Sequence, residues 1–216
     1  MVEPAGTGRA GREIAGVLLA GGLARRMGGG DKGLRLLGGK TILARIVERA
    51  RPQVTALALN ANGDAARFAP FGLPVRADAI PGFAGPLAGV LTGMEWAREA
   101  LPEARWLASF ACDAPFLPLD LVSRLQAAAE AARADMACAK SQGRTHPVFG
   151  LWPVELAPEL RRAMEAGVRK VDAWTARFKL VEVEFAADPI DPFFNANAPE
   201  DLAEAEALLA RGALRS

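Results

Sequence analysis

The chain has 216 residues, enough for one α/β domain with a sizeable hydrophobic core and short for two. With 51% hydrophobic and 24% charged residues it has the composition of a globular protein and not of a disordered one. Lys and Arg total 26 against 25 Asp and Glu, and the resulting net charge of +1 excludes a global pull toward nucleic acid or an anionic membrane, so neither is expected as a partner.

Residues 1–13 contain Gly and Arg but no apolar stretch of the kind a secretory signal needs. They are expected to form a flexible leader ahead of a single domain spanning 14–216. The first strand is predicted at Ile14–Ala20, a continuous apolar run suited to burial on both faces. A glycine-rich segment, Gly21–Gly39, follows. A helix is then predicted over Thr41–Ala50, with Thr41 as its N-cap and Pro52 just beyond its end.

Strands are predicted at Val54–Asn60 and Pro74–Ala77, and a helix at Leu87–Ala100. The strand Trp106–Phe110 leads straight into Ala111-Cys112-Asp113-Ala114-Pro115, and Pro118 and Asp120 open a helix that runs to Ala134. Strands at Met136–Ala139 and Val148–Leu151 follow, with Arg144, His146 and Pro147 in the loop between them. Helices are predicted at Glu155–Glu165 and Lys170–Ala176, and a strand at Leu180–Glu184. The last helix runs from Pro199 to Leu209, with proline in its first turn and Glu200 and Asp201 at the positive end of its dipole. Alternation of apolar runs with amphipathic stretches of helix length predicts one Rossmann-like α/β domain, a mainly parallel central sheet flanked by helices. The sequence holds no run of about 18 apolar residues, so no membrane span is expected and the cytoplasm is the expected location.

The two cysteines, Cys112 and Cys138, form no CxxC pair, which argues against a disulfide framework or a cysteine-rich zinc site and for space-filling roles beside strands. One histidine, His146, leaves no basis for a Ser-His-Asp triad, and no catalytic role is expected of it.

The strongest local signal is Leu19-Ala20-Gly21-Gly22-Leu23-Ala24-Arg25-Arg26-Met27-Gly28-Gly29-Gly30-Asp31-Lys32-Gly33. It follows a buried strand and so lies at the carboxyl edge of the sheet, where open α/β folds bind ligands. Glycines let the backbone bring its N–H groups close to anionic oxygens, and Arg25, Arg26 and Lys32 add the charge that suits a triphosphate. A surface loop of small residues is the plainest alternative. A dinucleotide-binding fingerprint is another, since Gly28, Gly30 and Gly33 spell GxGxxG, but that match begins several residues after the strand where the fingerprint begins directly. A P-loop is excluded, because GxxxxGK[ST] does not occur.

Read residue by residue, the loop resembles the signature of the molybdenum cofactor guanylyltransferases, relatives of the sugar-nucleotide and other nucleotidyltransferases. The resemblance extends over about Ile14 to Leu209. It includes Asn60-Ala61-Asn62 after the second strand, Pro86-Leu87-Ala88-Gly89 before a helix, Cys112-Asp113-Ala114-Pro115 after a central strand, and Asn195-Ala196-Asn197-Ala198-Pro199-Glu200-Asp201-Leu202 near the end. It implies that Leu19, Ala20, Gly21 and Gly22 contact the nucleotide, with Lys32 on the phosphates and Arg26 on the departing pyrophosphate. Asn60 and Asp78 would meet the nucleoside, Asp113 would bind the metal and contact the nucleotide, and Asn195, Asn197 and Arg169 would lie on the pterin side. Taken alone, Asn60 also reads as a strand-end turn residue, Asp78 as a solvated loop charge, and Asn197 as a turn residue ahead of Pro199.

The implied reaction is transfer of GMP from GTP to the phosphate of molybdopterin, with release of pyrophosphate and Mg²⁺ as cofactor on Asp113. It needs no protein nucleophile. Three alternatives stay open: a CTP-using molybdopterin cytidylyltransferase, a sugar-phosphate nucleotidyltransferase, and a non-catalytic nucleotide-binding module. The pair Gly21-Gly22 resembles the guanylyl enzymes, whose cytidylyl relatives carry Leu-Ala-Ala-Gly there. GTP and molybdopterin are the expected small-molecule partners, with transient contact to proteins that make or receive the cofactor.

Overall fold

The central strand β1 (Ile14–Leu19) sends Ile14 and Leu18 to one buried face and Ala15 and Val17 to the other, which fits it only for the middle of a covered sheet. The computed structural model of the chain describes residues 13–20, 31–80, 82, 85–188, 190–196 and 199–210. The leader up to residue 12, Gly21, Gly22, Arg25, Arg26 and Asn197 lie outside the described residues.

A short hairpin, β2 (Leu36–Leu37) and β3 (Lys40–Thr41), leads into α1 (Ile42–Ala50). β4 (Ala56–Asn60), β5 (Val75–Arg76), α2 (Pro86–Ala100), β6 (Trp106–Ala111) and α3 (Leu121–Ala132) follow. The chain continues through β7 (Met136–Ser141), β8 (Arg144–Pro153), α4 (Ala157–Glu165), α5 (Val171–Thr175), β9 (Leu180–Glu184) and α6 (Pro199–Ala210).

Seven strands form one sheet in the order β5-β4-β1-β6-β8-β7-β9. β5, β4, β1 and β6 are parallel, β8 runs antiparallel to both β6 and β7, and β9 is parallel to β7. The expected mainly parallel α/β domain is therefore what forms. The chain winds from β1 outward to β4 and β5, then returns to place β6 on the other side of β1. That reversal opens a crevice beyond the carboxyl ends of β1, β4 and β6.

Each face has its own core. Ile42, Leu43 and Ile46 of α1 and Leu121 and Leu125 of α3 meet Leu18, Leu59 and Phe110 on one side. On the other, Leu87, Leu91 and Met94 of α2, Leu160 of α4 and Trp174 of α5 meet Val17 and Leu107. Each such buried side chain contributes about 1.5–3 kcal/mol, so the two layers hold the sheet far more strongly than any surface ion pair does.

α2 lies unusually close to the sheet. A Cβ on Gly93 would stand 2.8 Å from Val17, and one on Gly89 would stand 2.4 Å from Asn60 Oδ1. The two glycines are one turn apart: Gly89 faces the ends of β1 and β4, and Gly93 packs on Val17 of β1 and Leu107 of β6. Thr41 caps α1 as expected, its Oγ1 accepting from Ala44 N at 3.1 Å. Asp120 precedes α3 but makes no side-chain cap bond; Gln53 Oε1, far away in sequence, accepts from Val122 N at 3.0 Å instead.

The expected loop around His146 is corrected to strand. Gln142 and Gly143 adopt φ of 48° and 74°, a two-residue turn of the twist that suits a hairpin, and it folds Arg144 back onto Ser141. Arg144, His146 and Pro147 thus belong to β8, which is ten residues long. Among the described residues no helix is long and apolar enough to cross a membrane.

Candidate active site

Beyond the sheet's carboxyl edge lies a cavity of about 680 Å³. The ends of three strands build it. Leu19 ends β1 with Ala20 just beyond, Asn60 ends β4, and Ala111 ends β6 with Cys112 and Asp113 just beyond. Backbone bonds tie these ends together: Ala20 N donates to Asn60 O at 2.9 Å and Cys112 N to Leu19 O at 3.3 Å.

The β4 side is an interlocked polar wall. Asn60 is only 3% exposed, and its amide donates to Asp78 Oδ1 at 2.9 Å and to the Arg76 carbonyl at 3.2 Å. Asn62 donates to Asp78 Oδ2 at 2.8 Å and accepts from the Asp78 backbone N–H at 2.9 Å. Both carboxylate oxygens of Asp78 are thus held by amides, and its orientation is fixed before any ligand arrives. Gly89 keeps α2 clear of Asn60, which explains a glycine in the Pro86-Leu87-Ala88-Gly89 motif.

The opposite side carries charge with looser contacts. Lys32 begins a short 3-10 turn, Lys32–Leu34, on which Arg35 N bonds back to Lys32 O at 3.2 Å. Its Nζ stands 3.8 Å from Asp113 Oδ2, longer than a hydrogen bond, and both side chains are 21% exposed. Burial pushes the Asp113 carboxyl above its ordinary range, opposed by the charge of Lys32 and a backbone hydrogen bond. In the amide orientation that satisfies both ends, Asn195 donates to Asp113 Oδ1 at 3.2 Å and to the Phe193 carbonyl at 3.3 Å. Next to it, Ala196 N donates to the Asp113 carbonyl at 2.9 Å.

Neither cysteine is poised as a nucleophile. Burial pushes the Cys112 thiol up to about 12, with Asp113 adding to the shift, and Cys138 likewise to about 12. Among the described residues no three His, Cys, Asp or Glu side chains cluster as a metal site, so a cation here would share Asp113 with ligand oxygens and water.

Leu19, Ala20, Lys32, Asn60, Asp78, Asp113 and Asn195 therefore come together as the sequence suggests. Arg169 does not join them. Its guanidinium donates to the carbonyls of Met164 at 2.6 Å and Val168 at 2.9 Å, and it is not among the described residues lining the cavity. Asn62 and Arg67 line the cavity without having been assigned roles. Arg67 Nε reaches Asp31 Oδ2 at 2.5 Å and its Nη2 the Asn62 carbonyl at 2.7 Å, tying the signature loop to the Asp78 wall.

The model of the MobA-like NTP transferase domain matches residues 16–180. The molybdenum cofactor guanylyltransferase of Rhodopseudomonas palustris (strain HaA2) is 57% identical over 196 residues, covering 90% of this chain and 92% of that one. The chain belongs to the molybdenum cofactor guanylyltransferase family. A second guanylyltransferase, from Mesorhizobium japonicum, is 52% identical across 92% of this chain and 97% of its own length. In fold, the chain resembles the molybdopterin-guanine dinucleotide biosynthesis protein A of Archaeoglobus fulgidus. The TM-score is 0.71 at 22% identity, over 91% of this chain and 99% of that one.

Proposed function

We infer that this guanylyltransferase family member transfers GMP from GTP to the phosphate of molybdopterin and releases pyrophosphate. The observation that carries the reading is high identity along nine-tenths of the chain to named guanylyltransferases, together with one cleft that holds Asn60, Asp78, Lys32 and Asp113.

The residues fit a division of labour. Asp78, clamped by Asn60 and Asn62, offers a carboxylate of fixed direction to the N–H donors of guanine or the ribose hydroxyls. A site built on such bonds rejects a base that cannot complete them. Lys32 lies on the phosphates as a point charge. Arg26, with the backbone of Gly21 and Gly22, is assigned to the same phosphates by its place in the signature loop. Asn195 and Asn197 are assigned to the pterin side.

Asp113 is the residue we assign to a divalent cation, with magnesium as the ion. It lines the cavity, Lys32 stands 3.8 Å away, and burial opposes its negative charge. A cation would relieve that cost, which suits a carboxylate that shares the ion with ligand oxygens. When bound, the ion would neutralise phosphate oxygens and help orient them. An oxygen of the molybdopterin phosphate attacks the α-phosphorus of GTP in line, the bond to the β-phosphate oxygen breaks, and pyrophosphate leaves. The raised pKa of the Cys112 thiol agrees with direct transfer and no covalent enzyme intermediate.

Incubation with GTP, Mg²⁺ and molybdopterin tests the reading. One pyrophosphate per guanine dinucleotide formed is expected. GTP binding without pyrophosphate release in the presence of molybdopterin would reduce the protein to a binding module.

A further inference from the structure

Ser141, His146 and Asp191 form a chain of polar contacts outside the cavity lining. Ser141 closes β7 and is fully buried. Its Oγ lies 2.7 Å from His146 Nε2, across the tight turn on β8, and 2.9 Å from Asp191 Oδ1. A carboxylate only accepts, so the single hydroxyl hydrogen goes to Asp191. Ser141 Oγ must then receive a hydrogen from His146 Nε2, which fixes that nitrogen as the one bearing N–H.

The far end of this chain grips a segment of the site. Asp191 Oδ1 also accepts from Phe193 N at 2.9 Å, and the Asp191 carbonyl accepts from Phe194 N at 3.0 Å. The Phe193 ring packs on the His146 ring with 4.7 Å between centroids and on Phe149 with 4.8 Å. A few residues on, Ala196 N is pinned to the Asp113 carbonyl. The stretch carrying Asn195 is therefore clamped at both ends. One clamp is Asp113 itself and the other is the β7–β8 hairpin.

We propose that Ser141, His146 and Asp191 act as positioning residues that hold Asn195 against Asp113 and thereby set the acceptor half of the site. The proposal rests on the guanylyltransferase reading, because it assigns the held segment to molybdopterin. The donor half is built separately, from Leu19, Ala20, Asn60 and Asp78. Loosening the brace should then weaken use of the pterin while sparing GTP. A merely structural contact would lower stability without separating the two substrates.

Four variants decide it: Ser141→Ala, His146→Phe, His146→Gln and Asp191→Ala. Ser141→Ala is the mildest change. His146→Phe keeps a ring against Phe193 but removes the donor, whereas His146→Gln keeps a side-chain N–H. The expected result is a KM for molybdopterin raised roughly 10-fold or more in Ser141→Ala, His146→Phe and Asp191→Ala. The dissociation constant of GTP, measured without pterin, stays within about 3-fold, and His146→Gln restores near wild-type KM. A second readout needs no turnover. Hydrogen exchange at the Phe193 and Ala196 amides should quicken roughly 10-fold in Ser141→Ala, with β1 and β6 unchanged.

Equal losses for GTP and pterin, or an unchanged pterin KM together with unchanged exchange at Ala196, would overturn the proposal. So would a folded His146→Gln as impaired as His146→Phe. Failure of the functional reading looks different: the wild type itself would bind GTP and form no dinucleotide, and the exchange result would then judge the brace alone.

Discussion

The two sides of the cavity are built on opposite principles. On the β4 side, Asp78 has both carboxylate oxygens bonded to amides at 2.9 and 2.8 Å. On the β6 side, Asp113 faces Lys32 at 3.8 Å, and burial raises its pKa. A preorganised wall costs little to bind against, because its groups lose no freedom when the ligand arrives. A carboxylate whose charge burial disfavours is the reverse, a standing cost that a cation relieves. On the assignments proposed above, the contrast teaches that recognition is prebuilt while charge balance is left for the substrates to complete.

The most severe way to break the comparison is at Asp113. If Asp113 holds the cation as proposed, Asp113→Asn should reduce kcat by about 10³-fold or more, since losing a metal carboxylate removes several kcal/mol of transition-state stabilisation. The same variant should melt no lower than wild type at pH 7. The sign follows from the raised pKa. The folded state binds the Asp113 proton more tightly than the unfolded state does, so wild-type stability falls as pH rises through the folded pKa. Asparagine escapes that cost, and its advantage should vanish once the pH drops below the unfolded carboxyl pKa. A wild-type kcat in this variant would remove Asp113 from the chemistry.

The wall comes next. Asp78→Ala should weaken GTP by roughly 10- to 100-fold, the cost of a bond to a charged acceptor, with little change in kcat at saturation. A drop in kcat alone would move Asp78 from recognition to chemistry. Smaller again is Lys32→Ala, expected to weaken GTP roughly 10-fold but GMP less than about 2-fold, because a lysine point charge acts on the outer phosphates. Equal losses for the two nucleotides would take Lys32 off the triphosphate.

The smallest effect concerns stability and His146. Burial lowers its pKa, against the opposing pull of Asp191 and Glu184, with Arg144 also lowering it. The folded state then binds this proton less tightly than the unfolded state, and stability is lost as pH falls below the unfolded histidine pKa. Between pH 7 and pH 5.5, wild type should lose on the order of 1 °C more in Tm than His146→Gln. The reverse order would contradict the assigned direction.

Much of the fold and half of the site were legible because they follow from local rules. A buried apolar strand followed by a polar residue at its carboxyl end pointed to Asn60 and Asp113, and both stand at the crevice. Thr41 capped the helix it preceded. What stayed hidden depends on contacts distant in sequence. Asn62 reaches Asp78 across 16 residues, Arg67 reaches Asp31 across 36, and Ser141 reaches Asp191 across 50. None leaves a periodic trace. Arg169 is a different case: it was assigned through resemblance alone, it is not among the described residues lining the cavity, and the neighbouring carbonyls of Met164 and Val168 accept from its guanidinium. The strand at His146 was hidden by Pro147, a residue that reads as a loop until the turn at Gln142-Gly143 pairs β8 with β7.

The central claim is that this cleft selects GTP by its guanine and transfers the GMP unit to molybdopterin. The most direct test is kcat/KM for GTP and for CTP with the same molybdopterin acceptor and Mg²⁺, measured as dinucleotide formed. If the fixed carboxylate of Asp78 meets guanine's N–H donors, the preference for GTP should be about 10²-fold or more. Equal use of the two nucleotides, or a preference for CTP, would contradict the guanylyl assignment.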